Sequence, residues 1–220
     1  MQIGVYFILF SLISSIIYLI LEKKISPISS ISFFLLVTLI IELVANHRSH
    51  QNKSNIEIYN IYIFLNFLFF INLIKQFTTK KIAKKIFNII IFLYLIFSFV
   101  IIFLIQGIHK FGTIAYAVGC ILIVFGCAYY FIEILLRPTP VTLVRNPEFW
   151  VCSGLFFFYA VSFPIYGFTN FVMSLPSAFL RNFNLFIQIL NIILYTMFSI
   201  AFLCRFKVTK SPLSLYLEPY

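Results

Sequence analysis

Glu42 lies inside an apolar run and has no basic residue three or four positions away, so it is the first residue to which chemistry can be assigned. Toward the chain's end, Asn184, Gln188, Asn191, Tyr195 and Ser199 recur at intervals of four, three, four and four, which places all five on one helical face. Tyr159, Ser162, Tyr166 and Asn170 repeat the pattern one segment earlier, with Pro164 between them to kink the helix and release a carbonyl. Asn60, Asn66 and Thr38 add further polar groups to apolar surroundings. A carboxylate with several amides suits a small polar or cationic ligand, with apolar and aromatic walls supplying contact area. The competing reading is interhelical glue, in which amides pair across helices at about 0.6 kcal/mol each and bind nothing.

Other chemistries lack their parts. His47 and His50 are three apart but fall in a polar stretch with Asn52 and Ser54, and no metal-ligand spacing joins Cys120, Cys127, Cys152 and Cys204. Cys152-Ser153-Gly154 lacks the framing glycine of a nucleophile elbow, there is no Gly-rich phosphate loop, and the last apolar segment has no lysine to hold a retinal. The expectation is a non-enzymatic protein with no catalytic residue, metal or cofactor.

The elements that position these residues are apolar helices. A bilayer core about 30 Å thick needs roughly 17 to 25 apolar residues per crossing. Seven stretches meet that length: 3–21, 30–46, 56–74, 86–106, 113–136, 149–172 and 183–204. Only helices satisfy their own backbone in lipid, and the alternation of barrel strands is absent. The fold class is all-α, a polytopic membrane bundle of seven transmembrane helices over residues 1–205, with 206–220 as a short cytoplasmic tail. Residues 30–46 form the shortest stretch and leave open a shallow segment. With 62% hydrophobic and 10% charged residues, a soluble core is excluded, and no attached output domain is expected.

Basic residues orient the bundle. With seven crossings, Lys23, Lys24, Lys75, Lys80, Lys81, Lys84, Lys85, Arg137, Arg145, Arg205, Lys207 and Lys210 share one face, against Arg48, Lys53, Lys110 and Arg181 on the other. The positive-inside rule then puts the amino terminus outside and the carboxyl terminus in the cytoplasm. The first segment has no basic n-region and is read as a retained span. The net charge of +10 follows from this bias and does not indicate nucleic acid; the run Lys75–Lys85 would meet anionic headgroups. In this orientation Glu42, Asn60, Tyr166, Asn170, Asn184 and Gln188 lie within roughly two helical turns of the outer surface and are expected to line one outward cavity, with Asn66 and Asn191 deeper.

Ala115, Gly119 and Gly126 place small residues on one face, a helix-packing stripe that suits the internal bundle or a homo-oligomer. Glu133 precedes Arg137 by one turn, a pair expected to anchor that helix end.

Asn146-Pro147-Glu148-Phe149-Trp150-Val151 running into Gly154 and Phe158-Tyr159, with Asn191-Ile192-Ile193-Leu194-Tyr195 and Ile200-Ala201-Phe202-Leu203-Cys204, carry a resemblance. Over residues 129–204 the chain resembles the seven-helix membrane modules that some bacteria encode fused to, or beside, sensor histidine kinases. The resemblance implies a sensory or signal-coupling role in a bacterial cytoplasmic (inner) membrane, with a histidine kinase or other signalling partner acting in trans. The residues leave two alternatives open: a small-solute transporter or channel subunit, and an accessory subunit of a membrane complex.

Overall fold

The computed structural model describes residues 3–21, 26–51, 53–137, 143–167 and 177–204. The helices are α1 (Ile3–Leu21), α2 (Ser29–His50), α3 (Ile56–Phe77), α4 (Lys81–Phe99), α5 (Thr113–Leu135), α6 (Pro147–Gly167) and α7 (Ser177–Cys204). A π-helical stretch, Val100–Ile105, prolongs α4, and a single 3-10 turn, Leu143–Arg145, leads into α6. Among the described residues, seven helices are long and apolar enough to cross a bilayer. The chain is a multi-pass membrane protein built as an all-α, seven-helix bundle.

Helix α2 extends past its apolar run. The polar residues Asn46 to His50 stay helical because the backbone ladder needs no apolar side chains, and the Asn55 amide ties the helix end by donating to the Ala45 carbonyl at 2.9 Å. With 22 residues it is roughly 33 Å long, enough for a full crossing. Helix α6 continues through Pro164, which has no N–H and so leaves the carbonyl of Ala160 without its helical donor.

Burial divides each helix into an inner and an outer face. On α5, Ala115, Gly119, Ile123, Gly126, Tyr130 and Glu133 point inward, whereas Phe125 and Leu135 are 70% and 71% exposed. An exposed phenylalanine is unfavourable in water, but lipid tails are as apolar as the side chain, so the outer surface costs nothing in a bilayer. Helices α5, α6, α7, α1 and α2 pack in that order, and α3 closes the ring by lying against α5 and, more sparsely, α2. Helix α4 sits outside the ring against α3 and is the least buried span.

The centre is aromatic. The Phe67 ring lies 5.2 Å from those of Tyr116 and Tyr159 and 5.8 Å from Tyr94, linking α3 to α4, α5 and α6. Gly119 makes this approach feasible: a Cβ there would lie 2.5 Å from Phe67 Cγ. The small stripe of α5 thus faces α3 within the bundle, with Gly126 against Ile74 and Phe87.

At the end of the bundle where α3 turns into α4, Glu133 does more than pair with its helical neighbour. Its Oε1 accepts from the Thr79 backbone N–H at 2.6 Å and from the Thr79 hydroxyl, while Arg137 Nη2 stands 3.8 Å away. The same guanidinium donates to the Phe77 carbonyl at 3.4 Å. The carboxylate therefore staples the α3–α4 turn to α5.

Candidate functional site

At the opposite end of the bundle, where α2 meets α3 and α4 meets α5, the sparse α2–α3 packing leaves a cavity of about 110 Å³. Five helices and one loop supply its wall. Phe34, Thr38 and Glu42 come from α2; Tyr59, Tyr62, Ile63, Asn66 and Phe70 from α3; and Tyr116 from α5. Phe158, Tyr159 and Tyr166 come from α6, Asn191, Leu194 and Tyr195 from α7, and Phe111 from the loop before α5. The α3 contribution follows from helical spacing, since positions 59, 62, 63, 66 and 70 share one face.

Glu42 occupies the junction. It borders this cavity and two smaller ones, of about 70 Å³ toward Asn46, Ser49 and Asn55 and about 30 Å³ between α1 and α7, where Gln188 and Asn191 also lie. Tyr59 shares the walls of the two larger cavities with it. Arg48 and His109, the nearby bases, are engaged elsewhere: Glu57 takes both, at 3.9 and 2.9 Å. None of the ion pairs among the described residues includes Glu42.

The deeper polar groups bind one another. Thr38 donates its proton to the Phe34 carbonyl at 2.9 Å, so the Tyr62 hydroxyl, 3.0 Å away, is the donor in their contact. The Asn66 amide donates to the Tyr159 hydroxyl at 2.7 Å. Ring contacts lock the walls: Tyr116 and Tyr166 are 4.5 Å apart between centroids, Phe111 stacks on Tyr166 at 5.8 Å, and Phe34 meets Phe70 at 4.7 Å. Past Asn66 the bundle is closed, since Phe67, Phe70, Ile71, Phe198 and Phe202 are each at most 1% exposed.

Of the residues expected to form one site, the structure gathers Glu42, Asn66, Tyr166 and Asn191 around the main cavity and places Gln188 on the small neighbouring one. Asn170 and the side chain of Asn184 lie outside the described residues. Asn60 has other work. Its amide donates to the carbonyls of Ile108 and Lys110, both at 2.8 Å, and accepts from the Gly112 N–H at 2.9 Å, holding the α4–α5 loop and with it Phe111. Gly107 begins that loop with a φ of 78°, a conformation glycine adopts without steric cost.

Sequence reasoning passed over Tyr59, Tyr62, Tyr116 and Phe111. The helical register of Tyr59 and Tyr62 with Asn66 was available, but among 13 tyrosines and 30 phenylalanines no single ring stands out. Comparison with protein-family models, with curated proteins and with solved structures returned no match.

Proposed function

We propose that this protein is a sensory or signal-coupling component of a bacterial cytoplasmic membrane, which detects a small ligand in the Glu42 cavity and acts through a separate partner. The observation that carries the reading is a carboxyl group that none of the ion pairs among the described residues includes, facing a cavity to which five helices contribute. Ionisable groups inside a membrane span are costly to keep and mark functional positions. The cavity lies at the bundle end that carries few basic residues, so the positive-inside rule directs it outward, with the amino terminus outside and the carboxyl terminus in the cytoplasm.

A ligand bridging α2 to α3, α6 and α7 shifts the bundle by binding one arrangement of α2 better than another. Phe34 and Thr38 couple α2 to α3 across the cavity wall, so a change in the cavity acts on both helices. The apolar floor supports a dead-end sensing site over a conduit, and the engagement of Glu133 with the α3–α4 turn withdraws the second carboxylate that a transport path would use. The partner is a histidine kinase or similar output protein in trans. In native membranes, Glu42→Gln and Gln188→Leu are expected to abolish the partner's response to external stimuli while leaving the chain's abundance unchanged. If both variants keep ligand response and coupling, the reading is abandoned.

A further inference from the structure

The lining of the cavity restricts what it can hold. Among the described residues, Glu42 is the one carboxylic acid on its wall and on the walls of the two adjoining cavities, and no lysine, arginine or histidine of that set lines any of the three. An anion would meet the Glu42 carboxylate with no described basic residue on the wall to offset it, whereas a cation supplies the missing charge. Among the polar groups of the wall, Thr38, Tyr62, Asn66 and Tyr159 are bonded to one another or to backbone, which fixes their side chains in place. Aromatic side chains make up most of the wall. Six tyrosines and four phenylalanines line the main cavity, several fixed by ring-to-ring contact before any ligand arrives.

Aromatic faces attract cations within about 6 Å of the ring centroid, most strongly where water is excluded, and cages of such rings recognise methylated ammonium groups. A hard alkali ion is held by a shell of oxygens alone, whereas ten of the sixteen side chains lining this cavity are aromatic. At about 110 Å³ the space is also well below the roughly 300–1,000 Å³ of drug-sized ligand sites, so the occupant is compact. We infer that the cavity binds a small quaternary ammonium ion, held between the Glu42 carboxylate and the surrounding tyrosine rings. The inference rests on the reading of this cavity as a ligand site and names its ligand class.

The test uses the full chain in nanodiscs with choline and tetramethylammonium as probes, measured by calorimetry. Their uncharged counterpart, 3,3-dimethylbutanol, replaces the nitrogen of choline by carbon at nearly equal shape. Choline is expected to bind roughly tenfold or more tighter than this alcohol, and Glu42→Gln to remove that preference. Tyr166→Phe keeps the ring and retains binding, whereas Tyr166→Leu weakens it. Equal binding of choline and the alcohol by the unaltered chain overturns the inference whatever the variants do. So does tighter binding of sodium than of tetramethylammonium, or equal binding by the Phe and Leu variants. A chain that ignores ammonium ions but still needs Glu42 for partner coupling refutes the ligand class and leaves the sensory reading intact. One that binds them through Glu42 without any effect on a partner does the reverse.

Discussion

Replacing Asn60 by leucine removes three hydrogen bonds with one side chain and leaves the helix backbone untouched. The amide is fully buried and joins α3 to residues about fifty positions away: the carbonyls of Ile108 and Lys110 and the N–H of Gly112. Interhelical hydrogen bonds in bilayers average about 0.6 kcal/mol, and a typical bond in a folded protein contributes about 0.5–1.5 kcal/mol. Three together give about 2–4 kcal/mol, with the buried Gly112 N–H the costliest group to orphan. Most of that should appear as local opening of residues 107–112 rather than global unfolding, because the aromatic core around Phe67 is not touched. Hydrogen exchange in bicelles should therefore show the Gly112 amide accelerated roughly 30- to 1,000-fold, with the α5 core amides nearly unchanged. Asn60→Asp is the sharper variant, since it keeps the acceptor for Gly112 but turns a carboxylate toward two carbonyls. It should cost at least as much as leucine. If the leucine variant leaves the Gly112 amide as protected as before, Asn60 does not hold the loop and the assignment of Phe111 to a fixed wall fails with it.

Gly119→Ala should destabilise the bundle by about 1–3 kcal/mol in reversible unfolding from bicelles, because the added Cβ lands 2.5 Å from a ring already confined by Tyr94, Tyr116 and Tyr159. Pairing it with Phe67→Leu should recover part of the loss, and additive costs would refute the contact. At the other end, Glu133→Ala should cost about 2–4 kcal/mol and free the α3–α4 turn, whereas Glu133→Gln, which still accepts from Thr79, should lose less than half as much. Exchange at the Thr79 amide measures both, and equal protection in the two variants would show that charge, not hydrogen bonding, joins the turn to α5.

The helices were legible in the sequence for a simple reason. Lipid leaves a backbone no partner but itself, so every apolar run of sufficient length must be a helix, and burial needs no long-range information to be inferred. Where the sequence outline departs from the structure, chiefly at the end of α2 and the starts of α4 and α7, the added turns carry polar or charged residues, and these mark the membrane boundary rather than the end of a backbone ladder. The Glu133–Arg137 pair was readable because it is local, one turn apart on one helix. Its bonds to Thr79 were not, since nothing in the pattern says which turn will be folded against α5.

The polar residues show the same division. Helical spacing could show that the stripes of α6 and α7 face inward, because a polar stripe cannot face hydrocarbon. It could not distinguish Asn66, whose amide meets Tyr159 on the cavity wall, from Asn60, whose amide is taken up by backbone from a distant loop. That difference depends on which segment arrives opposite each amide. Nor could it separate Glu57, which draws Arg48 and His109 to itself, from Glu42, which is left to the cavity. By itself the sequence determined that this is a membrane bundle, which ends of it are basic and which helical faces are polar. Only the tertiary structure decided which of those faces meet, because partner choice is set by packing between segments far apart in the chain, and the free carboxylate among tyrosines is a product of that packing.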